Sequence, residues 1–538
     1  MISSLRRASP AWRYGAYVLA ALTLVPIVVV LASWLQPVED HWLHIREHLL
    51  GRLVLNSLTL VVGVLAGSFV LGVSLAWITA FCRFPGRDFF KWALLAPFAI
   101  PAYVVGFVYT GLFEYSGPVQ TMAREWFSWW PSSWGIGQYP GVVMVMSLTL
   151  FPYVYFVVRG AFVSNGSRTL EAARSLGQGQ RAVLVRLALP MARPWVLSSL
   201  ALVGMETLAD FGTVSVFGYE TFTTAIYKSW YGFFSPNTAA QLSSLLVVFV
   251  AVLFLIEQSV GQERRYTANQ NGDPYLIQLK GWRLWMVLVY CSSVFLVGFV
   301  VPILQLLVWA WEVLGEELTG RILAITINSI IIGSLTALSV SVIALFLVLA
   351  SRFWPDGKVM LAAKLATLGY ALPGSVLAVG VFVPFVWFDK NLVAFLVGAF
   401  GGEPSLWLTG SIFTMVVGLT VRFLAVGYSP LSGQMERVSP RLDEAAMNYG
   451  YYGLQMARKL HIPLVRRGII IGAILVFVDV VKEMPLTLMS RPFGWDTLSV
   501  RIFEMVSEGE WERASVPAVF LVLTGLISVF FLTKQMRD

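Results

Sequence analysis

Apolar runs of roughly eighteen residues or more recur along the whole of this chain, and each is long enough to cross a bilayer as a helix. The composition agrees. Of 538 residues, 57% are hydrophobic and 13% charged, and the mean hydropathy is +0.73, more apolar surface than a soluble protein of this length needs. The expected fold class is therefore an all-α polytopic membrane protein. The net charge of +8 is read as an excess of Lys and Arg in cytoplasmic loops, with no nucleic-acid partner. Cys82 and Cys291 lie far apart in the sequence, which argues against a disulfide or metal framework. The first run, Tyr17–Leu35, follows Arg6, Arg7 and Arg13; it is too long for a signal-peptide core and reads as a retained span.

About twelve spans of roughly twenty residues each are expected. Six lie near 15–36, 54–81, 89–113, 138–159, 195–218 and 238–260, and six near 284–309, 325–350, 360–387, 407–428, 467–489 and 512–533. Loops rich in Arg and Lys alternate with acidic or aromatic ones. The positive-inside rule then puts both termini and the polar stretch Gln262–Lys280 in the cytoplasm. That stretch is the natural seam between a first repeat, 1–265, and a second, 284–538, joined by a linker at 266–283. An even number of spans per unit makes the two repeats parallel.

One pattern occurs twice. In EAARSLGQGQRAVLVRLALP, Glu171, Ala172 and Ala173 are followed by Gly177 and Pro190; in EAAMNYGYYGLQMARKLHIP, Glu444, Ala445 and Ala446 are followed by Gly450 and Pro463, 273 residues later. The alanines favour a helix, the glycine interrupts it, and the proline opens the next helix, where its missing N–H costs nothing. Each copy reads as a polar helix–turn–helix between spans, suited to docking on a soluble partner. The pattern resembles the EAA loop of ABC-importer permeases. That resemblance implies a type I permease fold and two cytoplasmic ATPase subunits, docked through these ten residues. It also implies a periplasmic substrate-binding protein and a bacterial inner-membrane location. The repeat extends further: Asn56-Ser57 matches Asn328-Ser329, and Ile100-Pro101 matches Leu372-Pro373.

No G-x-x-x-x-G-K-[ST] phosphate loop is present, so no nucleotide cofactor is expected in this chain, ATP and Mg belonging to the partner ATPase, and the chain itself is not expected to be an enzyme. His41, His44 and His48 share a helical face in the first external loop, and read as a solvated amphipathic segment rather than a metal site.

Ionisable groups inside apolar spans mark function. Glu206 and Asp210 form an i, i+4 pair, as do Asp479 and Glu483, and the 273-residue offset maps one pair onto the other. A carboxylate at membrane depth costs at least about 2.5–3.5 kcal/mol, so it is expected to face a pathway or a partner, Lys482 and Arg422 being candidate counter-ions. Four such groups about a pseudo-twofold axis favour a cation, with transient metal contact. Together with ETLADFGTVSVFGYETFTTAIYKSWYG (206–232) and KEMPLTLMSRPFGWDTLSVRIFE (482–504), the chain is similar to the fused-permease branch of the ferric-iron importers over nearly its whole length. Alternatives are permeases for thiamine or a polyamine and, from another class, a secondary transporter whose buried carboxylates carry protons. Aromatic-rich segments Glu114–Tyr139 and Tyr219–Asn237 are candidate external docking surfaces, or interfacial anchors.

Overall fold

The computed structural model describes residues 9–127, 137–175, 184–261, 277–399 and 406–537. Helices make up its described secondary structure, apart from a two-residue parallel pairing of Cys82–Arg83 with Ile277–Gln278. Most of the linker expected at 266–283 lies outside the described residues. Cys82 and Cys291 are both buried free thiols.

Among the described residues, nine helices are long and apolar enough to cross a membrane, or ten if a pair bent by 87°, Arg87–Ala99 and Ala102–Trp126, is one span. Two further long helices, Ile462–Lys482 with 21 residues and Trp511–Arg537 with 27, fall outside that set. Of the about twelve spans expected, four are interrupted. The third and ninth break before Pro101 and Pro373, where the proline lacks the N–H that would continue the helix. The fifth ends at Ala209 and the eleventh at Lys482, rather than running to 218 and 489. Breaks therefore fall at matching places in both sequence repeats.

Packing interleaves the two repeats. One buried cluster joins Leu60, Phe107 and Phe151 to Cys291, Leu306 and Leu521; the other joins Ala16 and Leu242 to Leu347, Leu377 and Leu419. The first helix, Ala11–Ala32, rests on the second repeat's Gly320–Phe353 and Gly374–Phe388. Conversely, Tyr290 bonds Ser74 at 2.7 Å, and Tyr109 donates to Val297 O at 2.5 Å. Local details repeat as well: Asn56 donates to Glu220 O at 2.9 Å, and Asn328 to Asp496 O at 3.2 Å.

Lipid tails are as apolar as leucine, so helices associate through close packing of small residues. Gly63 and Gly67, spaced as G-x-x-x-G, bring Leu50–Phe81 against Gln138–Ser175: a Cβ at Gly67 would sit 2.2 Å from Ser147 Oγ. Gly67→Leu is expected to force these helices apart at a cost of about 1–3 kcal/mol, the usual penalty of overpacking, read as a lower thermal midpoint of the purified protein. Gly51→Ala meets nothing within 4 Å and is expected to leave the midpoint unchanged or slightly raised.

Candidate functional site

Where the fifth and eleventh spans stop, the chain turns extended and then starts a short helix, Gly212–Val216 in one repeat and Pro485–Ser490 in the other. The first backbone N–H groups of such helices have no intrahelical acceptor, and in a membrane interior no water replaces one. Asp210 supplies the acceptors in the first repeat: Oδ1 accepts from Thr213 N at 2.9 Å and Val214 N at 3.1 Å, and Oδ2 from the Thr213 hydroxyl at 2.9 Å. Glu483 does the same in the second. It accepts from Leu486 N, Thr487 N and the Thr487 hydroxyl, each at 2.9 Å. The continuous i, i+4 face expected for each pair is thus corrected. Glu206 and Asp479 sit on their helices, whereas Asp210 and Glu483 follow the last residue, at ψ 129° and 126°.

All four carboxylates nevertheless line one cavity of about 200 Å³, between the breaks of the two repeats. Glu206 and Asp479 are half-buried in its wall. Glu206 Oε1 accepts from the Tyr370 hydroxyl at 3.2 Å, a bond from one repeat to the other. Asp479 has no hydrogen bond or ion pair among the described residues. Arg422 and Lys482 enter the same cavity, but neither has a carboxylate within the 4.0 Å of an ion pair among the described residues. Each reaches a carbonyl instead, Leu372 O and Phe98 O respectively, both at 3.4 Å. Gly374 lies against this group: a Cβ there would come 2.5 Å from Glu483 Oε1 and 2.6 Å from Arg422 Nη1. Sequence reasoning missed Tyr103, Tyr153 and Tyr370, the cavity's phenols. The signal for two of them is position, since Tyr103 and Tyr370 lie within three residues of the helix-breaking Pro101 and Pro373.

Among the described residues, no three His, Cys, Asp or Glu side chains are grouped so as to hold a metal ion. His44 and His48 lie with rings 4.9 Å apart, and His41 stacks on Phe233 at 5.1 Å.

The second repeated motif forms the helix Pro440–Asn448. Glu444 and Ala445 are exposed, while Ala446 is buried against the bundle. Gly450 ends the helix at φ +81°, with Gly450 N bonded to Met447 O and Tyr451 N to Ala446 O, both at 3.0 Å. This is the Schellman termination, whose left-handed residue is best a glycine, and it explains the motif's spacing. Pro463 opens Ile462–Lys482, and Pro190 opens Leu189–Ala209. Glu171, Ala172 and Ala173 lie in the backbone of Gln138–Ser175; their side chains and Gly177 are outside the described residues.

Beside Glu444, Asp443 is buried in a clip: Oδ2 accepts from Arg352 Nε at 2.7 Å, and Oδ1 is 2.9 Å from His461 Nε2. Arg352 also donates to Val438 O at 2.9 Å. Partial burial works to raise the carboxyl's pKa, but the hydrogen bonds from His461 and Arg352 outweigh it and hold the group below its ordinary value. A depressed folded value means that the clip stabilises the loop fully above the unfolded aspartate pKa of about 3.9 and loses that contribution only as pH falls through the lower folded value.

Asp210→Ala is expected to destabilise the protein by about 1–3 kcal/mol, because it strands buried N–H donors, whereas Glu206→Gln is expected to leave the thermal midpoint nearly unchanged. Equal losses from both variants would contradict the division of roles.

Residues 68–265 match the family described as binding-protein-dependent transport system inner membrane component. The chain is 28% identical over 496 residues to the Fe(3+)-transport system permease protein FbpB 2 of Haemophilus influenzae, covering 90% of both chains. It is 23% identical over 509 residues to the ferric transport system permease protein FbpB of Actinobacillus pleuropneumoniae, covering 89% of this chain and 70% of that one. A shorter likeness, 29% over 211 residues, joins 38% of this chain to 68% of the sulfate transport system permease protein CysW of Escherichia coli. Its helical fold and paired motif accord with these likenesses: over residues 68–265 the chain is similar to the binding-protein-dependent transport system inner membrane components, and over nearly its whole length to a permease named for Fe(3+) transport.

Proposed function

We propose that this permease carries ferric iron inward across the bacterial inner membrane. The iron comes from a periplasmic binding protein, and two ATPase subunits docked at the loops around Glu171 and Glu444 drive the cycle. Two repeat-equivalent carboxylates facing one cavity between the halves carry this reading: Glu206 and Asp479 are not spent on helix caps, and carboxylate oxygens are hard ligands suited to a hard ion. The full-length likeness to permeases named for Fe(3+) supports it. Both termini, the linker at 266–283 and both loops are assigned to the cytoplasm, with 1–265 and 284–538 as the two repeats. ATP and Mg act on the partner subunits; the chain itself catalyses no reaction.

In the mechanism, ATP closes the two ATPases, which pull the coupling helices. The exposed Glu444 and Ala445 meet the ATPase, while buried Ala446 and Asp443 pass the motion to the bundle. The halves then rock about the cavity, where the bond from Tyr370 to Glu206 joins one repeat to the other. Outside, the exposed Phe234 offers apolar surface for the binding protein. A second reading, an oxyanion cargo, is favoured by one observation: Arg422 and Lys482 stand in the cavity without carboxylate partners, and a partial relative is named for sulfate.

Two measurements separate these readings. Glu206→Gln with Asp479→Asn keeps size and hydrogen bonding while removing two charges. It is expected to lower iron uptake by an order of magnitude or more, about 1.4 kcal/mol of barrier per tenfold, while the ATPases still co-purify. Unchanged iron uptake, or sulfate uptake in its place, overturns the cation reading. Glu171→Lys with Glu444→Lys is expected to abolish ATPase co-purification and uptake while insertion is intact; uptake that persists without any ATPase would instead make the protein a secondary transporter.

A further inference from the structure

We propose that the cytoplasmic end of the first repeat holds the phosphate headgroup of an anionic phospholipid, bound by Arg87, Lys91 and Arg159 beside the exposed rings of Phe89 and Trp92. The proposal rests on the inner-membrane placement and on the cytoplasmic assignment of the loop after Leu50–Phe81, and it is independent of the cargo. Arg87 folds back on that helix, Nε donating to Thr79 O at 2.9 Å and Nη2 to Ala80 O at 3.0 Å. The last carbonyls of a helix have no intrahelical donor, so this capping uses part of the guanidinium and leaves its charge uncompensated. Arg159, on Gln138–Ser175, lies within electrostatic reach of Arg87, and the two like charges repel. Its Nε is buried without a hydrogen-bond partner among the described residues. One turn away, the Tyr155 hydroxyl donates to Lys91 O at 3.2 Å and ties this helix to Arg87–Ala93. Neither arginine has a carboxylate within the 4.0 Å of an ion pair among the described residues, and Asp88, largely exposed, pairs with Lys91. Two like charges are thus held together in a partly buried place without an anion, a desolvation cost that a bound anion offsets.

The surroundings select a lipid as the source of that anion. Phe89 and Trp92 are exposed on the same short helix, and Phe156 is exposed one turn from Arg159. Aromatic rings of this kind sit at headgroup level, and basic pockets between spans on the cytoplasmic side take anionic headgroups. Lipid covers the rings while its phosphate meets the cations. An arginine that merely snorkels carries its head into water, whereas Arg159 keeps Nε enclosed. Its planar fork suits the paired oxygens of a phosphate. The fold itself does not call for these charges. Two residues after the shared proline the second repeat has Gly357 where the first has Arg87, and at the 273-residue offset it has Ser432 where the first has Arg159.

The test is lipid titration of the purified full-length chain in detergent, read by native mass spectrometry, with phosphatidylglycerol, phosphatidylcholine and inorganic phosphate in separate arms. Phosphatidylglycerol is expected to bind the wild type about tenfold more tightly than Arg159→Gln. Arg159→Lys, which keeps the charge without the fork, is expected to recover part of the difference. Phosphatidylcholine, which has no net charge, is expected to bind wild type and variant alike. Equal binding of phosphatidylglycerol to wild type and Arg159→Gln overturns the proposal. Inorganic phosphate that displaces the lipid at matched concentration overturns it too, since the site would then serve a free anion. So does loss of ATPase co-purification in Arg159→Gln with lipid binding intact, which would assign the cations to an acidic protein partner. If Arg159→Gln does not purify as a folded protein, Lys91→Gln is read in its place. The titration uses neither iron nor ATP, so it is readable whatever the cargo, and its failure leaves the iron reading standing.

Discussion

Everything at the centre of this protein depends on one constraint, that a helix broken inside a membrane must find acceptors for the N–H groups it frees. The chain breaks two spans at matching places and answers both times with a carboxylate. Asp210 and Glu483 accept the first N–H groups of the next short helix and a threonine hydroxyl besides. Their own backbone carbonyls are held in the same way, Asp210 O by the Thr223 hydroxyl at 2.7 Å and Glu483 O by the Ser499 hydroxyl at 2.8 Å. Irregular backbone at membrane depth is tolerated where it lines a cavity or is buried in protein, and here it does both. The breaks open space between the repeats, and the carboxylates that stabilise them also set the charge of that space.

Much of this was legible in the sequence, because duplication writes the same message twice. The 273-residue offset identified both motifs and all four carboxylates, and the structure gathers the latter around one cavity. Spacing alone did not reveal that each pair divides its labour. An i, i+4 pair inside an apolar run reads as one face of a continuous helix, and hydropathy does not register a break whose polar groups are satisfied locally. The usable signals were small: Gly212 two residues after Asp210, and Pro485 two residues after Glu483. Nor did the sequence reveal that the helix Ala11–Ala32 packs on the second repeat. A helix that is apolar all round carries no stripe to say which neighbour it faces.

The interleaving has a mechanical consequence. Because each buried cluster draws on both repeats, a tilt of either half would have to carry helices of the other. At the cavity, the bond from Tyr370 to Glu206 joins the two repeats directly.

The two copies of the repeated motif show where duplication ended and divergence began. In the first repeat the span itself, Gln138–Ser175, runs on through Glu171, Ala172 and Ala173. Force applied there travels along continuous backbone hydrogen bonding. In the second, the span ends at Glu436 and the motif's helix begins afresh at Pro440. That junction would act as a hinge unless something spanned it. Arg352 does so, holding both Val438 O and Asp443 while His461 holds Asp443 from the far side of the loop. At the corresponding places the first repeat has Leu170 and Ala188, residue types that carry no charge. A continuous helix has no need of one; a broken helix does, and the charges appear in the repeat that contains the break.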